Sequence, residues 1–369
     1  MVRFATFNTS LNRDTNTKLI NDLKASDNIQ ARKIAEIIQR VRPDVLLLNE
    51  FDYEERHEAI ALFQTNYLSL SQNRRKPIEY EFHFLAAVNT GVDSKLDLNQ
   101  NGETGEPSDA FGFGEFPGQF GMVVLSRFPI EPDGVRTFRM FRWKDMPSAK
   151  LPNKPNSDQP YHSKKILRIF RLSSKSLWDI PVTIENQTVH FLVSHPTPSV
   201  FDGPEDRNGC RNHDEIRMLA DYVDPDLSAY VYDDRKKRGG LKKDAHFVIA
   251  GDMNADPFDG DSKDNAILQL LNHSRINSSF TPTSRGAFEQ AKRDGKINTD
   301  HRGNHAADTS DFNDFSVGNL RLDYVLPSNT LTVAAGGVFW PAAGDEGHEL
   351  ISASDHRLVW IDLNFSNSR

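Results

Sequence analysis

The feature that most constrains this chain is a series of short apolar runs that each end on a polar side chain. Residues 45–48 are an uninterrupted Val-Leu-Leu-Leu run, followed at once by Asn49 and Glu50. An apolar run without alternation predicts a strand that is covered on both faces. The preceding residues, 27–41, carry isoleucine and valine at the spacing of one helical face, which predicts an amphipathic helix. This succession of helix and strand predicts a layered α/β fold.

Further strand and helix signals extend this pattern along the chain. Apolar segments predict strands at residues 2–7, 81–88, 121–126, 166–172, 181–185, 188–194, 246–250, 320–326 and 358–363. A helix is expected to begin at a capping residue, Asn212, and a short one to cover 264–271. No repeat or linker separates these elements, so we expect one domain over residues 1–369. Long polar loop insertions are expected near 89–118, 131–165 and 196–212.

The charge and composition exclude several classes of protein. The chain has 44 basic and 52 acidic residues and a net charge of −8. This balance argues against binding nucleic acid through bulk positive charge, although it does not exclude a nuclease whose metal ions supply that charge locally. The single cysteine, Cys210, excludes an intramolecular disulfide and a Cys-based zinc site. No stretch approaches the ~20 apolar residues of a membrane span.

The N-terminal residues enter the first strand pattern directly, without a basic and apolar leader segment. We therefore expect an exported protein, periplasmic or extracellular, if a signal peptide has been removed. If the chain is complete as written, we expect a cytoplasmic protein. We also expect a monomer.

Residues that carry chemistry lie where the predicted strands stop, namely Asn8, Glu50, His195, Asp252, Asn254, Asp323, Asp355 and His356. Ligand sites in layered α/β proteins gather at such strand ends. Carboxylates with neutral amide oxygens suit a hard cation such as Mg²⁺, Mn²⁺ or Ca²⁺. The two histidines are acid–base groups near neutral pH, and a carboxylate can fix the tautomer of one of them. The set predicts attack of activated water on a phosphate ester.

Each of these residues also has a structural explanation when it is taken singly. An Asn or Asp after a strand is commonly a turn residue or a helix cap. Glu50 could belong to the solvated acidic start of a helix, and Asp323 could be a satisfied carboxylate of the core. The occurrence of the whole set, in order, at the ends of buried strands favours the catalytic interpretation.

Short motifs around these residues span positions 7 to 356. They are Phe7-Asn8, Leu48-Asn49-Glu50, the segment MVVLSRFPI at 122–130, Ser194-His195, Gly251-Asp252-Met253-Asn254, Arg321-Leu322-Asp323-Tyr324 and Ser354-Asp355-His356. In this order they resemble the endonuclease/exonuclease/phosphatase superfamily, which contains deoxyribonuclease I, abasic-site endonucleases, inositol polyphosphate 5-phosphatases and neutral sphingomyelinases. The resemblance implies a four-layer α/β sandwich, in which two packed mixed β-sheets are flanked by helices.

The resemblance implies a metal site as well. Glu50 would bind the essential metal with Asn8 beside it, and Asp355 would complete the set of metal or water ligands. The expected ion is Mg²⁺ or Mn²⁺. Asn49 stands where many relatives carry Gln, so the hydrogen bond made by this amide is expected to differ.

The catalytic roles are carried over in the same way. His356, paired with Asp323, would be the general base or a phosphate contact. His195 would contact the phosphate or serve the leaving group. Asp252 would orient or protonate a reacting group, and Asn254 would donate a hydrogen bond to the phosphate.

The loop after His195 offers further cationic residues. Arg207, Arg211 and His213 could surround a substrate phosphate. The alternative is that acidic neighbours in the same loop pair with these residues and fix the loop, and the sequence does not decide between the two. A second basic–aromatic candidate, for which a solvated face is the favoured interpretation, contains Lys164, Lys165, Lys175 and Trp178.

A short motif resembles the first half of a calcium-binding loop. Asp97, Asn99 and Asn101 alternate at positions 1, 3 and 5, and Gly102 follows. Position 12 is Ser108 instead of a bidentate Glu, and no helix pattern flanks the motif. A structural Ca²⁺ site and an ordinary Asn/Gly turn both remain open.

Three functions are therefore under consideration. The favoured one is a metal-dependent phosphoesterase that acts on a small or lipid-like phosphomono- or diester, since the chain is acidic and has no long basic stripe. A DNA or RNA nuclease of the same superfamily is the alternative, and nucleic acid is not the favoured partner. The third is a catalytically silent binding module, which the intact set of polar residues disfavours.

Overall fold

The computed structural model describes residues 1–365, and two large mixed β-sheets form the centre of this part of the chain. The strands are β1 (Val2–Leu11), β2 (Val45–Phe51), β3 (Phe82–Phe84), β4 (Met122–Ser126), β5 (Arg136–Thr137), β6 (Leu177–Ile184), β7 (Gln187–Ser194), β8 (His246–Asp252), β9 (Ser310–Asp311), β10 (Asn319–Leu320), β11 (Asp323–Pro327), β12 (Thr332–Val338) and β13 (Val359–Asn364). One sheet has six strands in the order β12-β13-β1-β2-β4-β3, and the other has five in the order β11-β8-β7-β6-β5. Strands β9 and β10 form a separate two-stranded ribbon.

Each large sheet contains one parallel pair, and these pairs set the position of the site. In the six-stranded sheet β1 runs parallel to β2, so that Asn8 lies opposite Asn49. In the five-stranded sheet β7 runs parallel to β8, and β11 runs antiparallel to β8 with Asp323 opposite Asp252. The polar residues that end these strands therefore come together at one edge of each sheet.

Helices cover the outer face of both sheets. They are α1 (Lys18–Leu23), α2 (Ile29–Val41), α3 (Glu58–Phe63), α4 (Lys164–Leu167), α5 (Arg207–Val223), α6 (Leu268–Leu271) and α7 (Arg285–Asp294). The first three pack on the six-stranded sheet, and α5 and α6 pack on the five-stranded sheet. No helix in residues 1–365 has the length and the apolar character to cross a membrane.

The alternation of side chains along each strand divides the core into layers. On β2, Leu46 and Leu48 face the helices, whereas Val45 and Leu47 face the other sheet. The layer between the sheets is fully apolar at its centre and includes Phe4 against Phe191, with ring centroids 5.5 Å apart. This arrangement of helix, sheet, sheet and helix confirms the four-layer α/β sandwich that the sequence predicts.

Several local predictions are wrong. The strand expected at 320–326 is two strands, β10 and β11, which lie in different sheets. The strand expected at 81–88 is limited to β3, and the α-helix expected at 264–271 is limited to α6. Residues 166–172 do not form a strand, because Ser163 accepts a hydrogen bond from the backbone N–H of Ile166 at 3.3 Å and starts α4 there. The helix expected to start at Asn212 begins at Arg207, so Asn212 lies within α5.

Candidate active site

The polar side chains at the strand ends lie together at one end of the two packed sheets. Asn8 comes from β1, Glu50 from β2, Asp252 from the end of β8 and Asp323 from the start of β11. His195 follows β7 directly. His356 precedes β13 and reaches the same place, because its ring contacts Asp323. The structure therefore brings together residues that are separated by more than 300 positions in sequence.

Unusual backbone geometry aims several of these side chains. Gly251 has φ of +153°, and a Cβ at this position would lie 1.9 Å from the carbonyl oxygen of Ser194, so that only glycine fits between β7 and β8. Glu50 and Asn254 have φ of 56° and 50°. Non-glycine residues rarely adopt this left-handed conformation, which is concentrated at functional sites.

One oxygen of Asp252 is the focal point of the site. Its Oδ2 accepts a hydrogen bond from the Nδ2 of Asn8 at 3.0 Å. The Nε2 of His195 lies 3.4 Å from the same oxygen, and the Nε2 of His356 lies 3.6 Å from it. Asp252 and both histidines are almost completely buried. Two histidines and one amide thus converge on a single carboxylate oxygen.

His356 belongs to a histidine–carboxylate pair. Its Nδ1 lies 2.7 Å from the Oδ2 of Asp323, and Thr309 donates a hydrogen bond to the same oxygen at 2.8 Å. This contact fixes the ring so that Nε2 points towards Asp252. The arrangement is the one expected of a carboxylate that orients a catalytic histidine.

Burial and charge shift the pKa values of these groups in opposite directions. Burial would lower the pKa of His356, but the negative charges of Asp323 and Asp252 outweigh burial and raise it to about 10. Burial lowers the pKa of His195 well below its usual value, and the positive charges of Lys175 and His356 lower it further. Burial raises the pKa of Asp252. In these surroundings His356 is protonated and His195 is neutral at pH 7.

Glu50 and Asn8 form a donor set that suits a divalent cation. The Nδ2 of Asn8 lies 3.0 Å from the half-buried carboxylate of Glu50 and 3.0 Å from the buried carboxylate of Asp252, so one amide separates the two. Burial raises the pKa of Glu50 because nearby positive charge does not compensate for it fully. Carboxylates with an adjacent amide fit a hard cation that prefers oxygen ligands. Rotation of the Asn8 amide would present its oxygen to that cation.

Asp355 lies at the exposed margin of this set. Its carboxylate accepts a hydrogen bond from Ser10 at 3.0 Å, and Ser354 donates one to the carbonyl of Asn8 at 2.8 Å. These contacts tie the loop before β13 to β1. The metal role of Asp355 stays a prediction.

A second group of possible metal ligands overlaps the candidate catalytic residues. One ligand atom each from Asp252, Asp323 and His356 lies within 4.8 Å of the others, and all three residues are buried. Because Asp323 and His356 are already hydrogen-bonded to each other at 2.7 Å, a cation between them would have to break that contact. We therefore favour the Glu50 side of the site for the metal.

Lys175 is a site residue that the sequence interpretation missed. It was expected on a solvated face, whereas the structure buries it to 6 % exposure next to the catalytic carboxylates. Within the described residues no carboxylate lies within 4.0 Å of its ammonium group. Burial lowers its pKa, and the negative charges of Glu215, Glu50 and Asp252 oppose that change. Lys175 lies two residues before β6, whose first residue Leu177 pairs with Ser194 at the end of β7, and this pairing brings it to the site.

The loop after His195 does not present the three predicted phosphate ligands as free groups. Arg207 pairs with Glu205, and the Nδ1 of His213 lies 3.1 Å from Asp214. The guanidinium of Arg211 is buried and donates to backbone carbonyls, including that of Leu172 at 2.7 Å. A substrate phosphate would have to displace these contacts. For Arg207 and His213 the structure agrees with the alternative, in which acidic neighbours pair with these residues and fix the loop.

Three asparagines connect the segments that carry the catalytic groups. Asn254 donates to the carbonyl of Pro196 at 3.1 Å, so its amide nitrogen already joins the loops after β7 and β8. The Nδ2 of Asn212, on α5, donates to the carbonyls of Thr197 at 2.8 Å and Met253 at 2.9 Å. The Oδ1 of Asn49 accepts from the backbone N–H of Asp252 at 3.3 Å, across the two sheets.

The loop with the calcium-like motif is closed by its own hydrogen bonds. Asp97 accepts from the backbone N–H groups of Asn101 at 3.2 Å and Gly102 at 3.0 Å. The side-chain amides of Asn99 and Asn101 both point towards Glu106, at 3.4 and 2.6 Å. These contacts describe an ordered Asn/Gly turn, and they place several oxygens near one another.

Comparison with known proteins agrees with this geometry. The model of the Endonuclease/Exonuclease/phosphatase family matches residues 5–356. Among solved structures, an endonuclease/exonuclease/phosphatase from Beutenbergia cavernae DSM 12333 is 17 % identical with a TM-score of 0.52, and the match covers 99 % of this chain and 72 % of that one. A family protein from Leptotrichia buccalis C-1013-b is 14 % identical with a TM-score of 0.50, over 99 % of this chain and all of the other. No curated protein matches the chain.

These two structural matches show the same fold, and the family model covers nearly the whole chain, including every catalytic candidate from Asn8 to His356. The chain therefore belongs to the endonuclease/exonuclease/phosphatase family and is a metal-dependent phosphoric ester hydrolase.

Proposed function

We propose that the enzyme hydrolyses a small or lipid-like phosphomono- or diester by attack of water on phosphorus. The convergence of Asn8, His195 and His356 on the Oδ2 of Asp252 carries this proposal. It gives one buried place where a proton acceptor and groups that stabilise negative charge lie within hydrogen-bonding reach of a reacting phosphate. The alternative of a silent binding module does not agree with membership of a family of hydrolases.

The proposed ion is Mg²⁺ or Mn²⁺. Glu50 and the amide oxygen of Asn8 would hold it, and Asp355 would complete the set. When bound, the ion supplies positive charge that stabilises the phosphoryl oxygens.

The residues of the chain divide the remaining work. Asp252 accepts the proton of the attacking water at Oδ2, which is suited to this because burial raises its pKa towards neutrality. Protonated His356, held by Asp323, places its Nε2 hydrogen against a phosphoryl oxygen. Neutral His195 binds a second oxygen or the leaving group, and Lys175 adds a positive charge that is buried with the substrate. The proposal thus assigns His356 to charge stabilisation and the base to Asp252.

The surroundings of the site support an ester with an apolar part. Phe113, Phe201 and Phe258 are 59 %, 85 % and 53 % exposed. They lie on the loops that precede β4 and follow β7 and β8, at the ends of those strands where the catalytic residues lie. Exposed aromatic side chains in such a place favour a substrate with a lipid-like group.

A substrate screen tests this proposal. Initial rates would be measured on p-nitrophenyl phosphate, bis-p-nitrophenyl phosphate, phosphatidylcholine, sphingomyelin and supercoiled plasmid DNA, each with Mg²⁺, Mn²⁺ or Ca²⁺. We expect turnover of a small or lipid ester with Mg²⁺ or Mn²⁺. Plasmid nicking without turnover of any small or lipid ester would contradict the proposed substrate class and would establish the nuclease alternative.

One observation favours that alternative. The segment 235–238 consists of four exposed basic residues, Arg-Lys-Lys-Arg, on a chain that is acidic overall. A nuclease would bind DNA through such charges, and log Kd would then rise steeply with log salt concentration. Weak binding to plasmid DNA that does not change between low and high salt would exclude the nuclease alternative.

We also propose a structural Ca²⁺ at the loop of Asp97, Asn99 and Asn101, as a separate element of the account. The oxygens of Asp97 and Glu106 lie close enough to the two amides to form part of a cation site after rotation of those amides. Thermal unfolding with CaCl₂ or a chelator tests it in the wild type and in Asp97→Ala. The expected result is a Tm that rises with Ca²⁺ in the wild type only, and an equal response of both proteins would contradict the site.

A further inference from the structure

A cavity lined by cationic side chains lies away from the catalytic residues, beside the outermost strand β5 of the five-stranded sheet. Its volume is about 400 Å³, and six side chains line it: Arg142, Asp145, Tyr230, Tyr232, Lys236 and Arg238. This volume lies in the range of small-molecule sites. The catalytic carboxylates lie on β8 and β11, whereas the strand nearest this cavity is β5 at the opposite edge of the same sheet.

Within residues 1–365, two of the three cations of this cavity have no carboxylate partner. In the described part of the chain, Lys236 and Arg238 have no carboxylate within 4.0 Å. Asp145 is shared, since its Oδ2 accepts from the Nε of Arg142 at 2.7 Å and from the hydroxyl of Tyr232 at 2.6 Å. Three cationic side chains thus face one carboxylate. On a protein of net charge −8, this local surplus of positive charge points to an anionic ligand.

The cavity has an aromatic floor against which the cations are held. The Nζ of Lys236 lies 4.7 Å from the ring centroid of Tyr232, and the guanidinium carbon of Arg238 lies 5.7 Å from it. The ring of Phe141, which is buried, packs beneath at 4.8 Å from Tyr232 and 6.0 Å from Tyr230. The floor is therefore packed against a buried side chain of the core.

A buried ion pair braces the segment that carries the two cations. Arg136 on β5 binds Asp233 at 2.8 Å, and both side chains are almost inaccessible. The same guanidinium donates to the carbonyls of Lys237 at 2.8 Å and Gly239 at 2.7 Å. Asp233 in turn accepts from the backbone N–H of Lys237 at 2.8 Å. The hairpin formed by residues 231–239 is thus fixed from below, with Lys236 and Arg238 projecting from its outer side.

We propose that this cavity binds a phosphorylated small molecule that carries a diphosphate group. Guanidinium and ammonium groups are the usual protein ligands of phosphate. Because cations from two segments line the cavity, Arg142 from one and Lys236 and Arg238 from the hairpin, a ligand with two phosphates can contact both segments. The hairpin is already braced, so binding does not require ordering of the segment.

Calorimetric titration with inorganic pyrophosphate tests this proposal on the full chain in a chelator, so that no metal links the ligand to the catalytic carboxylates. Binding of the wild type is expected, and Lys236→Ala and Arg238→Ala should each weaken Kd about tenfold. Lys237→Ala is the matched control, because Lys237 is an equally exposed cation on the same hairpin that does not line the cavity. It should bind as the wild type does.

Three results would overturn the proposal. Equal weakening by all three substitutions would mean that pyrophosphate responds only to the general charge of the hairpin. Loss of binding in His356→Ala, with full binding in Arg238→Ala, would place pyrophosphate at the catalytic centre. No binding of pyrophosphate together with tight binding of a 12-nucleotide single strand, weakened in Arg238→Ala, would identify the hairpin as a nucleic-acid contact.

Discussion

At the scale of single residues, the site depends on buried charges that compensate one another. Asp252 is a buried carboxylate and Glu50 a half-buried one, and Lys175 and His356 are buried cations near them. A buried charge is costly without an opposite charge, so removing either sign leaves the other uncompensated. Substitutions here should therefore preserve shape wherever the purpose is to test chemistry.

Lys175 gives the first prediction. Lys175→Met keeps the length of the side chain and removes its charge, and kcat/KM should fall about 100-fold because a group that stabilises phosphoryl charge is lost. Lys165→Met, at an exposed position of the same basic segment, is the control and should retain wild-type kinetics. Initial rates and Tm should be measured for both. A fall of kcat/KM below twofold in a folded Lys175→Met would contradict the assigned role.

His162 gives a prediction about pH and stability. It is 3 % exposed among the rings of Trp143, Tyr161 and Phe170, and neither ring nitrogen has a hydrogen-bond partner. Burial lowers its pKa to about 4, and the positive charges of Arg211 and Arg207 contribute. In the unfolded chain its pKa is near 6.5, so between these values the unfolded state binds more protons.

The free energy of unfolding should therefore decrease as the pH falls from about 6.5 to about 4, and this residue should account for about 3 kcal/mol of the decrease. In His162→Phe the contribution should disappear. Urea unfolding at several pH values gives the difference in the free energy of unfolding between the two proteins. The carboxylates titrate in both proteins, so their contribution cancels in this difference. Parallel pH profiles for the two proteins would contradict the role of His162.

The residues at strand ends could be predicted because their motifs are local. Gly251-Asp252-Met253-Asn254 directly follows an apolar run, and the left-handed φ of Asn254 and the glycine at 251 belong to the same few residues. Lys175 could not be predicted in this way. Its burial follows from packing against the loop at Asn89, whose backbone N–H donates to the carbonyl of Lys175 at 3.0 Å, and that contact joins residues far apart in sequence.

At the scale of elements, α5 couples the loops that carry His195 and Asp252. Its Asn212 was expected to cap the helix from outside but lies within it, where it binds carbonyls of both loops. The first turn of α5 contains Asn208 and Gly209, which are poor helix formers, and Asp206 before it has φ of 51° and makes no capping hydrogen bond. Tertiary contacts extend this helix beyond what its local sequence favours, and the sequence pattern therefore missed its first turn.

Asn212→Ala should show the consequence of this coupling. Two buried carbonyls lose their donor, so the free energy of unfolding should fall by about 1–3 kcal/mol, and kcat should fall more than KM changes because the two loops lose their relative position. Asn272→Ala removes an exposed asparagine after α6 and serves as the control. Urea unfolding and steady-state kinetics provide both readouts. Unchanged kcat in a destabilised Asn212→Ala would restrict Asn212 to a structural role.

At the scale of the whole molecule, the layer between the two sheets is the largest shared feature. Strands from the first and last parts of the chain meet there, since β1 pairs with β13 and packs against β7. The alternation of apolar residues made this layering predictable, whereas the course of the loop insertions depends on contacts such as those of Arg211 with distant carbonyls.

We propose that residues 1–369 form one domain, and unfolding should then be a single cooperative event. Urea unfolding followed by tryptophan fluorescence and by far-ultraviolet circular dichroism should give coincident transitions, because Trp143 lies in the core between α5 and the five-stranded sheet, and Trp178 and Trp340 lie in the layer between the sheets. Two separated transitions would contradict the one-domain interpretation.

We propose above all that the Oδ2 of Asp252 accepts the proton of the attacking water in a metal-dependent reaction. The most direct measurement is the initial rate of the best ester from the substrate screen for the wild type and Asp252→Asn, each freed of metal with a chelator and then supplied with Mg²⁺ or Mn²⁺. Metal is expected to restore the activity of the wild type, and folded Asp252→Asn should stay at least about 100-fold slower in kcat. Asp252→Asn with a rate close to that of the wild type, at an unchanged Tm, would rule out Asp252 as the proton acceptor.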